Sequence, residues 1–451
     1  MNNEGDQVIV VYWSEWRRYH GSRVTGAAIG HSPAPRSGTC ASIHTMGKVL
    51  RGIILMCCFS LASFTDPGCV IELECRECVP DNMPLVTSHR AVNGSVSAAA
   101  GDEVVLACAG GRFLLYPLLE TVTAVCEAGR YRARHDAALR HLLELGCQEN
   151  VFEDVLQTVE HCAPPLQGRA YRAAGAGARA VGALCFDADR ARAAWARAAA
   201  PRRAAPAARA AASSPLSLLG NFNHMFDART RHDAERLYSD DVRLNRRLHE
   251  LLKYDRFSFA DQTLTSARLL SRSYFEDQNG RVADFVSNSV AAWRGVAAGN
   301  LRHLQRDVAR LLRAARPRVV DVYAGTHGVM SLRVGAGRRD VYLAPGRFPV
   351  PKYVWTVVHD TQRDRALALV VLNDPFVAVS EIRGAVFCES QCGRVAWLHE
   401  LRRHRNYESP VYGLVFCCAV HNFTDVVSEM PKAVLGRVPL GDAGMFIDSF
   451  A

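Results

Sequence analysis

The chain has 451 residues, 49% of them apolar, with a formal net charge of +9 and a pI of about 8.9. That length holds two ordinary domains with sizeable cores, and no stretch is long and apolar enough to span a bilayer comfortably, which argues against a membrane partner. The charge permits polyanion binding without demanding it: Lys48, Lys253, Lys352 and Lys432 are the only lysines, and the arginine excess accompanies a high alanine content.

Residues 1–45 lack periodicity and carry the polar run His31-Ser32-Pro33-Ala34-Pro35-Arg36-Ser37-Gly38, so they read as an extension that is foreign to the natural protein or without fixed structure. Residues 46–62 read as a secretory signal peptide. Met46 to Arg51 is basic, Gly52 to Leu61 is apolar, and Ser60-Leu61-Ala62 offers small residues for cleavage. Natural translation is expected to start at Met46. Cys69, Cys75, Cys78, Cys108, Cys126, Cys147, Cys162, Cys185, Cys388, Cys392, Cys417 and Cys418 follow, an even set that suits six disulfides in an exported protein. Zinc is the weaker reading, because Cys75-x-x-Cys78 and Cys388-x-x-x-Cys392 lack a second spaced pair or histidine partners. The sequons Asn93-Gly94-Ser95 and Asn422-Phe423-Thr424 could carry glycans in that compartment.

Residues 63–190 read as a β-rich disulfide domain, with strand-like runs Asp102 to Cys108 and Thr121 to Cys126 punctuated by Gly101 and Gly110-Gly111. Residues 191–219 begin with an Ala/Arg run broken by Pro201 and Pro206, and read as a linker. From Asp233 to Tyr254 the leucine spacing suggests one or two amphipathic helices. Thr265 to Arg310 reads as strand, turn at Asp277-Gln278-Asn279-Gly280, second strand ending at Asn288, irregular crossing, and helix. Leu301, Leu304, Val308, Leu311 and Leu312 form the apolar face of that helix, with Arg302, Arg306, Asp307 and Arg310 opposite, and Gly299-Asn300 supplies its start with Asn300 as N-cap. Arg318–Tyr323, Ser331–Val334, Asp340–Ala344, Tyr353–His359 and Ala366–Leu372 read as strands, and Gly335-Ala336-Gly337 as a hairpin turn.

Several local runs resemble the DNA/RNA non-specific endonuclease family, the ββα-metal nucleases, in its insect extracellular type. Ser266-Ala267-Arg268-Leu269, four residues, then Tyr274-Phe275 keeps the frame of its Arg-Gly-His-Leu strand motif. Asn288, Ala291-Ala292-Trp293, Ala297, Gly299-Asn300-Leu301 and Gln305 follow the spacing of its Asn, Pro-Gln-Trp, Asn, Gly-Asn-Trp and Glu. Tyr323-Ala324-Gly325, Pro349-Val350-Pro351-Lys352 with Trp355, Asn373-Asp374-Pro375 and Gly413 to Cys418 look like its later segments. The resemblance spans roughly residues 220 to 425, within an expected domain of 220–451, and implies an α+β arrangement. A β-rich disulfide domain would precede a nuclease-like domain with an antiparallel sheet and flanking helices.

The resemblance also implies a chemistry that the residues do not supply. In the family a histidine removes a proton from water, an asparagine holds a hydrated Mg²⁺, and a helix glutamate supports the metal's water shell. Arg268 stands at the base position and cannot accept a proton; Ala297 stands at the ligand asparagine; Gln305 replaces the glutamate; Asn288 is the polar neighbour retained. Loss of the general base alone removes ~10²–10⁴-fold in rate. The expectation is a secreted pseudonuclease that binds DNA, RNA or an unidentified protein partner, with Arg272, Arg281, Arg294 and Arg302 as phosphate contacts and Mg²⁺ not held tightly. The alternative is an active Mg²⁺-dependent enzyme rebuilt from other residues, with His224, His232, His249 or His303 as base. A lone histidine on a polar helix face such as His303 reads first as a solvated residue.

Overall fold

The computed structural model describes residues 67–448 except 74, 76, 93, 175–179, 199–233, 235, 239, 253–261, 316–318, 335, 336 and 405. The expected extension at 1–45, the signal peptide at 46–62 and the sequon residue Asn93 lie outside the described residues. Residues Phe64–Ala451 form one compact unit.

Two antiparallel sheets carry its core. The smaller contains β1 (Leu85–Val86), β2 (Glu103–Ala107), β3 (Thr121–Glu127), β4 (Arg130–Ala133) and β5 (Leu139–Arg140), in sequence order. Val104, Leu106, Val122, Ala124 and Cys126 alternate inward along it, as strands with one buried face require. The larger sheet starts with β6 (Phe152–Leu156), β7 (Gln167–Ala173), β8 (Ala180–Asp187) and β9 (Arg192–Ala198). The chain then leaves it for helix α1 (Asp241–Leu252), strands β10 (Leu264–Arg268) and β11 (Ser289–Trp293), and helices α2 (Arg294–Ala298) and α3 (Asn300–Ala314). It returns with β12 (Val320–Val329), β13 (Pro351–Asp360), β14 (Arg365–Leu372) and β15 (Val415–Cys418), giving the order β15-β14-β13-β12-β9-β8-β7-β6, antiparallel throughout.

Two expectations are corrected here. Arg192–Ala198 is not a linker but a central strand, paired with β8 on one side and β12 on the other. Alanine has a low strand propensity, which disguised it; burial against both neighbours decides the conformation instead. Residues 199–219 of the expected linker lie outside the described residues. The boundary expected at 190 falls inside the large sheet, so its strands on either side of that point share one core with the smaller sheet.

The later strands match their apolar runs. In β13 and β14 nearly every residue is buried on both faces, as a continuous Val/Leu/Trp run predicts. Ser331–Val334 pairs antiparallel with Gly337–Asp340, so Gly337 belongs to a strand and not to the expected turn, whose residues 335 and 336 lie outside the described residues. The strand expected at Asp340–Ala344 is Tyr342–Ala344, paired with Arg347–Pro349. Gly325 in β12 sits opposite Trp195, where a Cβ would overlap the Trp355 ring and the Ala194 carbonyl. Glycine is therefore required there by close approach.

All twelve cysteines from Cys69 onward pair: Cys69–Cys126, Cys75–Cys78, Cys108–Cys147, Cys162–Cys185, Cys388–Cys418 and Cys392–Cys417. The last two fasten the edge strand β15 to residues 388–392, and thereby close the sheet at that end.

Trp195 is 3% exposed and packs edge-on to Tyr323 at 5.9 Å. Trp195→Ala should lower unfolding stability by about 3–5 kcal/mol, measured by chemical denaturation, as for other buried large-to-small changes. A change under about 1 kcal/mol, as for an exposed linker position, would contradict the assignment of β9.

Candidate functional site

The strand, strand and helix order expected for the nuclease-like layout is present, with a different interior. β10 pairs antiparallel with β11, so that Arg268 lies opposite Ser289. The second strand therefore begins after Asn288 and does not end there. Between the strands the chain forms 3₁₀ turns at Arg272–Tyr274, Asp277–Asp284 and Val286–Asn288, where a single turn was expected. The small sheet holds that segment through polar contacts. The Gln278 amide accepts from Val86 N–H at 2.9 Å and donates to Val86 O at 2.7 Å, and Asp277 Oδ1 accepts from Ala91 N–H at 2.7 Å.

Helix α3 buries Leu301, Leu304, Val308 and Leu311 as its spacing predicts. Asp307, expected on the exposed face, is fully buried: its carboxylate accepts from the N–H groups of Glu400 at 2.8 Å and Leu401 at 3.0 Å. Those donors open helix α5 (His399–Arg403), which follows α4 (Val379–Ala385), and a carboxylate there answers both the free N–H groups and the helix dipole. Asn300 does not cap α3. Gly299 occupies the cap position, and Asn300 Nδ2 donates instead to the carbonyls of Asn406 at 3.0 Å and Gly413 at 2.8 Å.

At the expected base position, Arg268 is exposed and bonds Asp284 at 2.7 Å; Arg272 binds the same carboxylate. Asp284 was not singled out by sequence reasoning, and nothing in its spacing marks it. Gln305 donates from its amide nitrogen to Arg268 O at 2.8 Å, tying α3 to the strand end. Ala297 packs partly buried against the core. Asn288 is completely buried: Oδ1 accepts from Leu270 N–H at 3.0 Å, and Nδ2 donates to Leu270 O at 2.9 Å and Ala283 O at 2.8 Å.

The donor set therefore does not fit a hydrated Mg²⁺. Ala297 offers no side-chain oxygen, the Asn288 oxygen is enclosed and engaged, and a guanidinium pair stands where a base would.

The arginines expected at phosphate separate into two groups. Arg281 is corrected: it donates to Met83 O at 2.7 Å and Pro84 O at 3.4 Å and lies 5.2 Å from the Phe152 ring, and burial pushes its pKa down to about 10. A guanidinium so enclosed holds the small sheet and is closed to phosphate. Arg272 is partly buried, donating also to Leu73 O at 3.1 Å. Arg294 is exposed beside Asp241 at 3.5 Å, and Arg302 is exposed on α3. His303 is not a solvated surface residue: its ring stacks on His404 at 4.0 Å and its Nδ1 is buried without a hydrogen-bond partner. His249 is exposed on α1, while His224 and His232 lie outside the described residues.

With the site laid out, comparison with known proteins places the chain in a nuclease-like relationship. No family model matches it. "Salivary protein Tsal1" of Glossina morsitans morsitans is 25% identical over 150 residues, 33% of this chain and 36% of the relative. "Salivary endonuclease" of Lutzomyia longipalpis is 24% identical over 140 residues, 30% of this chain and 32% of the relative. The chain thus spans about a third of the length of the curated relatives it matches. A chain of a solved EndoG/EndoGI inhibition complex aligns at 12% identity with a TM-score of 0.24, covering 44% of this chain and 73% of that one, too loose a fit to bear on the fold.

Asn288→Ala leaves two carbonyls and one N–H without partners in a dry site and should cost about 2–5 kcal/mol in unfolding free energy. Arg268→Ala, at an exposed ion pair, should cost under about 1 kcal/mol in the same titration. The reverse order would return Asn288 to a functional role.

Proposed function

We propose that this chain is a secreted, catalytically impaired nuclease-like protein that retains binding of DNA or RNA through phosphate contacts. The observation that carries the reading is the Arg268–Asp284–Arg272 cluster: at the position where the family's chemistry needs a proton acceptor, a carboxylate is clamped between two guanidinium groups. Asn288 is used up by the backbone around it, and Gln305 by the strand end. The likeness to salivary relatives supports the nuclease-like ancestry, and the pairing of all twelve cysteines suits an exported protein with a cleaved signal at 46–62.

The binding face of this reading is the solvent side of α3. Arg302, Arg306, Arg310 and Arg313 are exposed there, and the first three recur every four residues, so they lie in one row along the helix. Arg310 is shared with Asp307 and Glu400 at 3.1 Å, whereas Arg302 stands at the end nearest Gln305. A row of arginines along a helix meets successive phosphates without reading bases, giving salt-sensitive, sequence-tolerant affinity.

Purified protein should bind labelled duplex DNA and double-stranded RNA without cutting either. Arg302→Ala and Arg306→Ala should each lower the slope of log affinity against log salt by about 1. Plasmid cleavage that appears with Mg²⁺ or Mn²⁺ and disappears with chelator would overturn the impairment; an unchanged salt slope in both variants would overturn the binding face.

A further inference from the structure

We propose that His303, Glu400 and His404 form a binding site for a transition-metal cation of the Zn²⁺ type, separate from the position where the nuclease layout would hold Mg²⁺. His303 is two residues from Gln305, hence about 200° around α3, and it faces α5 while Gln305 faces β10.

Three features build the site. Glu400 and His404 are four residues apart on one helical turn, so their side chains project to the same side. One ligand-type atom from each of His303, Glu400 and His404 lies within 4.8 Å of the other two. Tetrahedral coordination at normal Zn–N and Zn–O lengths needs about 3.3 Å between such atoms, a gap that side-chain rotation closes. Closing it turns the His303 and His404 rings out of their near-parallel stack, on a frame in which Asp307 holds the start of α5 to α3.

The hydrogen bonding divides in a way that suits ligation. Arg310 takes Oε1 of Glu400 at 3.1 Å and leaves Oε2, which lies 3.8 Å from His404 Nε2. Arg310 thus serves as an outer partner that orients the carboxylate, the support that ligands of bound metals characteristically have. Nδ1 of His303 is shielded from solvent and has no hydrogen-bond partner, a condition that normally costs free energy and that a cation bound at that nitrogen would relieve. Two imidazoles with one carboxylate select Zn²⁺, Cu²⁺ or Co²⁺ over Mg²⁺, which prefers oxygen donors. Arg306 and Arg403 bring opposing positive charge near the site and limit its affinity.

Full-length protein is stripped with chelator and titrated with Co²⁺, followed by its visible ligand-field absorption, and with Zn²⁺ in calorimetry. The expected result is one stoichiometric equivalent of metal, weakened at least tenfold in both His303→Ala and His404→Gln and unaltered in His141→Ala, an exposed histidine elsewhere. Near-ultraviolet circular dichroism verifies each fold, and His404→Gln, at an exposed position, decides the matter if His303→Ala is unstable. Equal affinity in His404→Gln and the parent protein, or no stoichiometric binding, would overturn the site. Nucleic acid plays no part in the readout, so this outcome is independent of the binding face proposed above.

Discussion

Buried carboxamides are the constraint on which the rest of this structure depends. Asn288, Asn300 and Asn373 are each fully enclosed. Asn288 stitches Leu270 to Ala283; Asn300 stitches α3 to Asn406 and Gly413; Asn373 accepts from Trp293 N–H at 3.0 Å and donates to Ala291 O at 3.3 Å and Pro351 O at 2.9 Å. Asn373 thereby fastens the short β10–β11 pair to the large sheet. A buried amide left unpaired is expensive, and Asn288 and Asn373 commit both ends of the amide to backbone groups, whereas Asn300 commits its nitrogen and leaves Oδ1 buried without a partner. The oxygens of Asn288 and Asn373, engaged in this way, are not available to a cation.

The second dependence is between the small sheet and the segment joining β10 to β11. Gln278 pairs with Val86 as a neighbouring strand would, Arg281 closes on Met83 and Pro84, and Arg272 reaches Leu73. Beneath them Arg169 meets Asp154 at 2.5 Å, while Ser287 bridges Asp154 and the Tyr171 hydroxyl at 2.8 Å on each side. Burial raises the pKa of Asp154, and Arg169 and Ser287 act against that rise. The network ties β6 and β7 to the residue beside Asn288, with Arg169 Nη1 left buried without a partner. The small sheet is thus part of what shapes the site and not an appendage to it.

Charge is arranged on the same principle. Most arginines around the nuclease-like layout have a carboxylate or carbonyl close by, so the net charge of +9 overstates what is free to meet phosphate. On α3, Arg302, Arg306 and Arg313 are exposed, and His303 of the same helix joins Glu400 and His404 in their cluster.

Local pattern was enough to read the amphipathic face of α3, the apolar runs of β13 and β14, the hairpin at 331–340 and the complete pairing of twelve cysteines, because each depends on periodicity, turn residues or parity within the chain. That Arg268 cannot accept a proton and Ala297 has no side-chain oxygen was equally legible, since a residue's chemistry does not wait on its fold. Tertiary structure alone decided that Arg192–Ala198 is a central strand, that Asp307 and Arg281 turn inward, and that His303 meets His404. Those outcomes rest on partners far away in sequence, and contacts with such partners override the propensity of any single residue.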